Sequence, residues 1–177
     1  MKKYLIVTDM QKDFVDGSLG SLEAQAIVPA VCKKIETFDG DIIATLDTHY
    51  EDYLDTREGR FLPVRHCIKA TEGWKLNSDV EEALSHRSHT LLEKNTFGSV
   101  DLPKVLAQMS EGEPFEVHVI GLCTDICVVS NAMLIKAFFP EADVHVDASC
   151  CAGVSPGTHK AALATMKCCQ MIIENEE

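Results

Sequence analysis

Six short apolar runs recur along the chain, separated by stretches in which apolar residues return every three or four positions. Runs of this kind are typical of strands buried on both faces of a parallel sheet, although a short buried piece of helix gives a similar pattern. The spacing between them is that of amphipathic helices. The predicted strands cover residues 4–8, 41–46, 90–92, 117–120, 143–146 and 171–173.

The predicted helices begin at residues that commonly cap helices. Asn77 and Ser155 can accept hydrogen bonds from free backbone N–H groups, and Pro156 needs no donor in a first turn. Pro29 is unfavourable inside a helix, so the first long helix is expected to begin close to Val28. The helical patterns cover residues 24–38, 78–84, 101–109, 124–135 and 155–168.

The order of these elements defines a fold class. Strands that alternate with helices imply right-handed crossovers and a parallel sheet covered by helices on both faces. No repeat, linker or low-complexity tract interrupts the pattern over residues 1–177. The sequence therefore predicts an α/β fold, a three-layer α/β/α sandwich, in a single domain.

Charge and composition limit the classes of partner that the protein is expected to bind. The 177 residues carry a formal net charge of −12 with scattered lysines and arginines, which argues against a nucleic acid as partner. No apolar run approaches the ~20 residues of a membrane helix, and the first apolar run is too short for a signal peptide. We therefore expect a cytoplasmic protein with no membrane partner. Its eight cysteines are expected to be mostly reduced thiols.

Cys127 has the most informative position among these cysteines. Gly121 breaks the strand predicted at residues 117–120, and Thr124 can cap the helix that follows. Cys127 then lies in the first turn of that helix, where the helix dipole favours a thiolate and free N–H groups can hold an oxyanion. The same position also suits a buried structural cysteine that packs as a small hydrophobe.

Three other polar residues, Asp9, Asp47 and Lys94, also lie at the carboxyl ends of predicted strands. In an open α/β sheet, ligands bind at that edge. A thiol needs a base or a lowered pKa for nucleophilic attack, so Asp9 is a candidate proton acceptor and Lys94 a group that keeps it ionised. Asp9 could instead cap a loop, and Lys94 could be a surface lysine.

A second group of residues suits a divalent metal ion. Asp47 and His49 project from the same side of an extended segment, and Glu58 and His66 come from the long polar stretch that follows. Two imidazoles with one or two carboxylates suit Zn²⁺, Mn²⁺ or Fe²⁺, with open positions left for water or ligand. Each histidine alone is more often a surface or core residue, but the four residues together favour a metal site.

Five motifs span nearly the whole chain. They are VTDMQKDF around Asp9, LDTH at Asp47 and His49, TREGRFLPVRHCI at Glu58 and His66, EKNTFGS at Lys94 and GLCTDICV at Cys127. In type and order they resemble the isochorismatase-like cysteine hydrolase superfamily, and within it the pyrazinamidase-like nicotinamidases. The resemblance implies the fold of those hydrolases, with a six-stranded parallel sheet, and an Asp–Lys–Cys triad of Asp9, Lys94 and Cys127. It also implies a cis peptide between Leu122 and Cys123, with the backbone N–H groups of Cys123 and Cys127 as the oxyanion hole.

The same resemblance bears on the metal and the substrate. It implies that the four candidate ligands hold one divalent ion, Zn²⁺ or else Mn²⁺ or Fe²⁺, which in turn holds the pyridine nitrogen of nicotinamide. Phe14, Phe97 and Trp74 are candidate walls for the substrate ring, where stacking contributes about 0.5–1.5 kcal/mol beyond burial. Each of the three could also be an ordinary core residue.

The function that the resemblance implies is hydrolysis of nicotinamide to nicotinate and ammonia through a thioester on Cys127, a step in NAD salvage. A related cysteine amidase could act on another small amide or a ureido compound. Two alternatives of other kinds are a catalytically silent binding module and a redox protein that pairs Cys127 with Cys123. Oligomers are common in the family, so a homo-oligomer is compatible with the resemblance.

Overall fold

A six-stranded parallel sheet organises the computed structural model, which describes residues 1–176. The strands lie in the order β3-β2-β1-β4-β5-β6. The chain runs from β1 outward to β3, returns to β4 beside β1, and continues to β6, so the direction of winding reverses between β1 and β4. In such sheets this reversal marks the ligand-binding edge. The strands are β1 (Lys2–Thr8), β2 (Asp41–Asp47), β3 (His89–Lys94), β4 (Phe115–Leu122), β5 (Asp143–Ala152) and β6 (Ile172–Glu174).

Helices cover both faces of the sheet, as the three-layer prediction requires. Leu5 and Val7 of β1 pack into one apolar cluster with the second and fourth helices, while Tyr4 and Ile6 pack into the other with the last three. This alternation is the period of two that a strand buried on both faces must show. Within residues 1–176 the seven α-helices are α1 (Lys12–Val15), α2 (Leu22–Thr37), α3 (Arg57–Phe61), α4 (Ser78–Ser85), α5 (Leu102–Ser110), α6 (Val129–Phe138) and α7 (Pro156–Cys168). No helix among residues 1–176 is long and apolar enough to cross a membrane.

Helix α2 begins earlier than the sequence predicts. It starts at Leu22 rather than close to Val28, and Pro29 lies inside it. The Ser21 side chain accepts a hydrogen bond of 3.0 Å from Ala24 N, which caps the true start. The loss of one N–H donor at the proline is offset by burial of the apolar face of the helix, because tertiary packing supplies most helical stability in proteins.

The segment before Cys127 also differs from the prediction. Thr124 does not cap a helix, because its hydroxyl lies 2.8 Å from Nδ1 of His159, and Cys123 occupies the cap position. Residues Thr124–Val128 form a π-helical turn, so Cys127 lies in that turn and α6 begins only afterwards. Such turns occur often at functional sites. The peptide between Leu122 and Cys123 is cis, as the resemblance implies.

Candidate active site

The carboxyl ends of three adjacent strands bring the predicted polar residues together. Asp9 follows β1, and the parallel register of β2 and β3 sets Asp47 directly beside Lys94. The Lys94 Nζ atom lies 2.7 Å from Asp9 Oδ2, 3.2 Å from Asp47 Oδ1 and 3.5 Å from Cys127 Sγ. Only 1% of the Lys94 side chain is exposed. One buried ammonium group therefore joins the thiol to two carboxylates.

Asp9 is held in an unusual backbone conformation. Its φ of 48° lies in the left-handed region, which a non-glycine residue rarely adopts. The Thr45 hydroxyl donates a hydrogen bond of 2.6 Å to Asp9 Oδ1. Burial raises the pKa of the Asp9 carboxyl, and the charge of Lys94 opposes that rise. A carboxylate with a raised pKa accepts a proton more readily than a solvated one, which suits a general base.

Burial acts in opposite directions on the pKa values of the Cys127 thiol and the Lys94 ammonium group. Burial raises the pKa of the Cys127 thiol well above its usual range, the charge of Asp9 raises it further, and Lys94 acts against both. Burial by itself lowers the pKa of Lys94, but the charges of Asp9, Cys127 and Asp47 outweigh it and raise that pKa. Burial and the charge of Asp9 thus disfavour a thiolate at Cys127, whereas the neighbouring carboxylates favour the charged form of Lys94. Burial therefore opposes the effect expected from the helix dipole, and Cys127 needs a base such as Asp9.

Beside this triad, Asp47, His49, Glu58 and His66 place four potential metal-ligating atoms within 4.8 Å of one another. Asp47 Oδ2 lies 3.0 Å from His49 Nε2 and 3.7 Å from His66 Nε2. Glu58 Oε1 lies 3.5 and 3.7 Å from the same two nitrogens. Glu58 lies on α3, where the Thr56 side chain caps the helix start. The structure thus brings together all four predicted ligands.

The surroundings of these residues fit a divalent cation. His66 Nδ1 lies 2.8 Å from the carbonyl oxygen of Val64, to which its N–H donates, so the lone pair of Nε2 faces the carboxylates. The Tyr53 ring packs against both imidazoles. Burial raises the pKa of Asp47, but the neighbouring imidazoles of His49 and His66 and the charge of Lys94 outweigh it and hold the pKa below its usual range. Two imidazoles and two carboxylates form a donor set suited to Zn²⁺.

An apolar cavity of about 540 Å³ opens beside both groups. Of the three aromatic residues predicted as walls, Phe14 and Phe97 line it, and the Phe14 ring lies 5.4 Å from that of His66. Trp74 does not line it, because its Nε1–H donates a hydrogen bond of 2.9 Å to Thr48 Oγ1 and its ring packs against the core under α2. Other lining residues include Asp47, Glu58, Leu122, Cys123, Ile126 and Cys127.

Gln11 is a supporting residue that the sequence prediction missed. Its Nε2 donates hydrogen bonds to the carbonyl oxygens of Asp47 at 2.8 Å and Trp74 at 2.7 Å, while its Oε1 accepts from Asp47 N at 2.7 Å. Gln11 therefore fixes the backbone from which Asp47 projects. Its place in the VTDMQKDF motif was the available signal, but an amide carries no catalytic chemistry that would single it out.

The fold and this site define an α/β enzyme with a cysteine at the switch point of its sheet. The chain matches the model of the isochorismatase domain over residues 3–177 and belongs to the isochorismatase family. The isochorismatase family protein PncA of Bacillus subtilis is 31% identical over 144 residues, which cover 75% of this chain and 78% of that protein.

Two solved structures of nicotinamidase-type proteins are similar over nearly the whole chain. The nicotinamidase/pyrazinamidase PncA of Bacillus subtilis superposes with a TM-score of 0.87 at 25% identity, covering 99% of this chain and 100% of that one. Pyrazinamidase of Pyrococcus horikoshii, in complex with zinc, superposes with a TM-score of 0.79 at 27% identity, covering 98% of each chain. The predictions of the nicotinamidase branch and of an amide-hydrolysing enzyme are thereby confirmed.

Proposed function

We propose that this protein hydrolyses nicotinamide to nicotinate and ammonia, with Cys127 as nucleophile, and that it serves NAD salvage in the cytoplasm. The observation that carries the proposal is the position of Lys94 Nζ, 2.7 Å from Asp9 and 3.5 Å from Cys127, beside an apolar cavity with two aromatic walls. The similarity to the nicotinamidase/pyrazinamidases of Bacillus subtilis and Streptococcus mutans supports the choice of substrate.

In the first half of the reaction, Asp9 accepts the proton of the Cys127 thiol. The thiolate attacks the carboxamide carbon, and the backbone N–H groups of Cys123 and Cys127 stabilise the oxygen that becomes negative. Asp9 then returns the proton to the departing nitrogen. The carbon–nitrogen bond breaks, ammonia leaves, and a thioester remains on the sulfur.

In the second half, Asp9 accepts a proton from a water molecule that attacks the thioester. The carbon–sulfur bond breaks, the proton returns from Asp9 to the sulfur, and the product leaves as nicotinate once its carboxyl proton has passed to solvent. Lys94 supports both halves, because its fixed charge favours the ionised forms of Asp9 and Cys127 at 2.7 and 3.5 Å.

The four metal-ligand candidates are proposed to hold one divalent ion, with Zn²⁺ as the first choice. The zinc complex of the Pyrococcus horikoshii pyrazinamidase supports that choice. When bound, the ion would supply a Lewis acid for the pyridine nitrogen and thereby fix the orientation of the substrate. Phe14 and Phe97 are proposed to contact the faces of the ring, where they exclude water from the thiol.

Ammonia release from nicotinamide by the purified protein and its Cys127→Ala variant tests the proposal. We expect the variant to lose at least about 10³-fold in rate, since loss of a nucleophile removes the covalent route. Cys168→Ala is the matched control, because Cys168 is exposed and should be replaceable without effect. Acid quenching during turnover should trap a nicotinoyl adduct on Cys127, detectable by mass spectrometry. Full turnover by the Cys127→Ala protein would refute the assignment.

A further inference from the structure

A second cluster of histidines and carboxylates lies on the sheet, away from the catalytic residues. The register of β4 and β5 places His118 directly beside His145, and their rings stack with centroids 4.4 Å apart at 14°. Glu116 precedes His118 by two residues and so projects from the same face of β4. His118 pairs with Leu5 of β1, and Asp9 lies four residues further on, roughly 13 Å along the strand.

We propose that Glu116, His118 and His145 bind a second divalent transition-metal ion, with Zn²⁺ as the best match. One potential ligand atom from each of the three side chains lies within 4.8 Å of the other two. Two imidazoles and a carboxylate suit zinc and leave a fourth position for water. The three side chains are partly buried, so the ion can enter from solvent.

Glu174 on β6 orients both imidazoles for this role. Its Oε1 lies 2.8 Å from Nδ1 of His145, and its Oε2 lies 3.9 Å from Nδ1 of His118. Because both Nδ1 atoms face Glu174 and the rings are stacked, both Nε2 atoms point the other way. His118 Nε2 lies 3.2 Å from Glu116 Oε1 on that side. A carboxylate behind a histidine that binds metal through its other nitrogen is the usual supporting arrangement.

One buried atom in this cluster lacks a hydrogen-bond partner. Within residues 1–176, His118 Nδ1 is buried without a hydrogen-bond partner. When Nε2–H donates to Glu116, Nδ1 carries only a lone pair and faces another acceptor, Glu174. When an ion binds Nε2, that nitrogen releases its proton to solvent and Nδ1 takes one up from solvent. The imidazole therefore changes tautomer without a net gain or loss of protons. Nδ1–H then faces Glu174 Oε2, which lies 3.9 Å away, and a small rotation of the ring brings the two within hydrogen-bond distance.

The neighbouring charges also allow a dication. Three carboxylates lie near this cluster with only two ammonium groups to pair with them. Lys3 pairs with Glu116, and Lys34 pairs with both Asp147 and Glu174. Lys3 pairs with Glu116 at 2.8 Å but is 44% exposed, so its flexible side chain can move into solvent and free the carboxylate. The stacked rings must rotate apart on binding, because an ion lies in the plane of each imidazole that it binds. The bound ion would join β4 to β5 and, through Glu174, to the short edge strand β6.

Zinc stoichiometry provides the test. Tag-free protein is stripped with chelator, dialysed against ZnCl₂ and analysed for bound zinc. We expect His145→Gln and His118→Gln to bind one zinc per chain fewer than the unchanged protein. His86→Gln is the matched control, because His86 is an exposed histidine beside a single glutamate, and it should lose none. The His49→Ala/His66→Ala double variant should still bind the ion at the second cluster.

Two further measurements keep the test decisive. Circular dichroism establishes that the variants are folded before zinc is counted. Glu174→Gln keeps all three ligands but removes the orienting carboxylate, and we expect a 10- to 100-fold weaker zinc affinity at this site in calorimetric titrations. Equal zinc content in the unchanged protein and the folded His118→Gln and His145→Gln variants would overturn the proposal. So would a Glu174→Gln affinity equal to that of the unchanged protein.

Discussion

The candidate active site and the surroundings of the second histidine cluster each contain a lysine that bridges two carboxylates, and the two lysines are buried to different depths. In each, a lysine bridges two carboxylates: Lys94 joins Asp9 to Asp47, and Lys34 joins Asp147 to Glu174. The Lys94 side chain is 1% exposed, whereas that of Lys34 is 23% exposed. Charges interact more strongly as water is excluded, but each also loses more hydration. The comparison indicates that burial depth, rather than the pairing itself, distinguishes the Lys94 bridge, for which a catalytic role is proposed, from the Lys34 bridge.

The largest expected effect is that of Lys94→Met. It leaves Asp9 buried without its counter-ion, and removing one partner of a buried pair typically costs about 3–5 kcal/mol in the free energy of unfolding. Turnover should fall at least about 10³-fold, since the variant loses the charge that favours the ionised thiol. Urea unfolding and ammonia release measure the two effects. The Asp9→Asn/Lys94→Met double variant should regain stability but not activity, and a loss below about 1 kcal/mol in the single variant would contradict this account.

His66→Ala should lower kcat/KM by on the order of 10², comparable with the 10- to 100-fold effects seen when support for a metal ligand is removed. The loss should lie mainly in KM, because the metal ion is proposed to orient substrate rather than to supply a nucleophile. Steady-state kinetics at several zinc concentrations separate the two parameters. A loss confined to kcat would show that the ion acts in the chemical step instead.

A smaller effect on kcat/KM is expected when the pH is lowered. Burial raises the pKa of Asp9 and Lys94 only opposes that rise, so Asp9 should protonate at a higher pH than a solvated aspartate. Since the ionised form is the base, kcat/KM should fall about tenfold per pH unit below that pKa. Initial rates between pH 4 and pH 8, taken with zinc in excess, measure the profile. A flat profile down to about pH 4 would exclude Asp9 as the base.

The smallest expected effect is that of Lys34→Met in the second cluster. Because Lys34 is partly solvated, losing its pairs with Asp147 and Glu174 should lower the free energy of unfolding by only about 1 kcal/mol. Nicotinamide turnover should stay unchanged. Urea unfolding of the Lys34→Met and Lys94→Met variants under the same conditions compares their losses in free energy of unfolding directly. Equal losses in the two variants would mean that depth does not set the strength of these lysine bridges.

The polar residues at strand ends were the most predictable part of the site. Asp9, Asp47, Lys94 and Cys127 follow apolar runs, and all four lie at the same edge of the sheet. Parallel strands must end together at that edge once helices connect them, so local pattern was sufficient. The roles of these residues in catalysis stay predictions.

The errors share a different cause. Trp74 follows a polar loop and was a candidate either for a cavity wall or for the core; it packs against the core, where its indole N–H donates to Thr48 Oγ1. Thr124 resembles a cap in sequence, yet His159 from a distant helix takes its hydroxyl. Pro29 is tolerated because the face of α2 is buried. In each case a partner far away in the chain outweighed the local preference.

The sequence by itself determined the alternation of strands and helices, the chemical types at the strand ends and the family motifs, because periodicity and residue type are local properties. Only the tertiary structure decided that Asp47 lies beside Lys94 and His118 beside His145, since both pairs depend on strand order and register. It also decided that burial raises the pKa of the Cys127 thiol. The physical reason is burial: the exclusion of water from a site depends on the whole fold, and no local pattern of residues contains it.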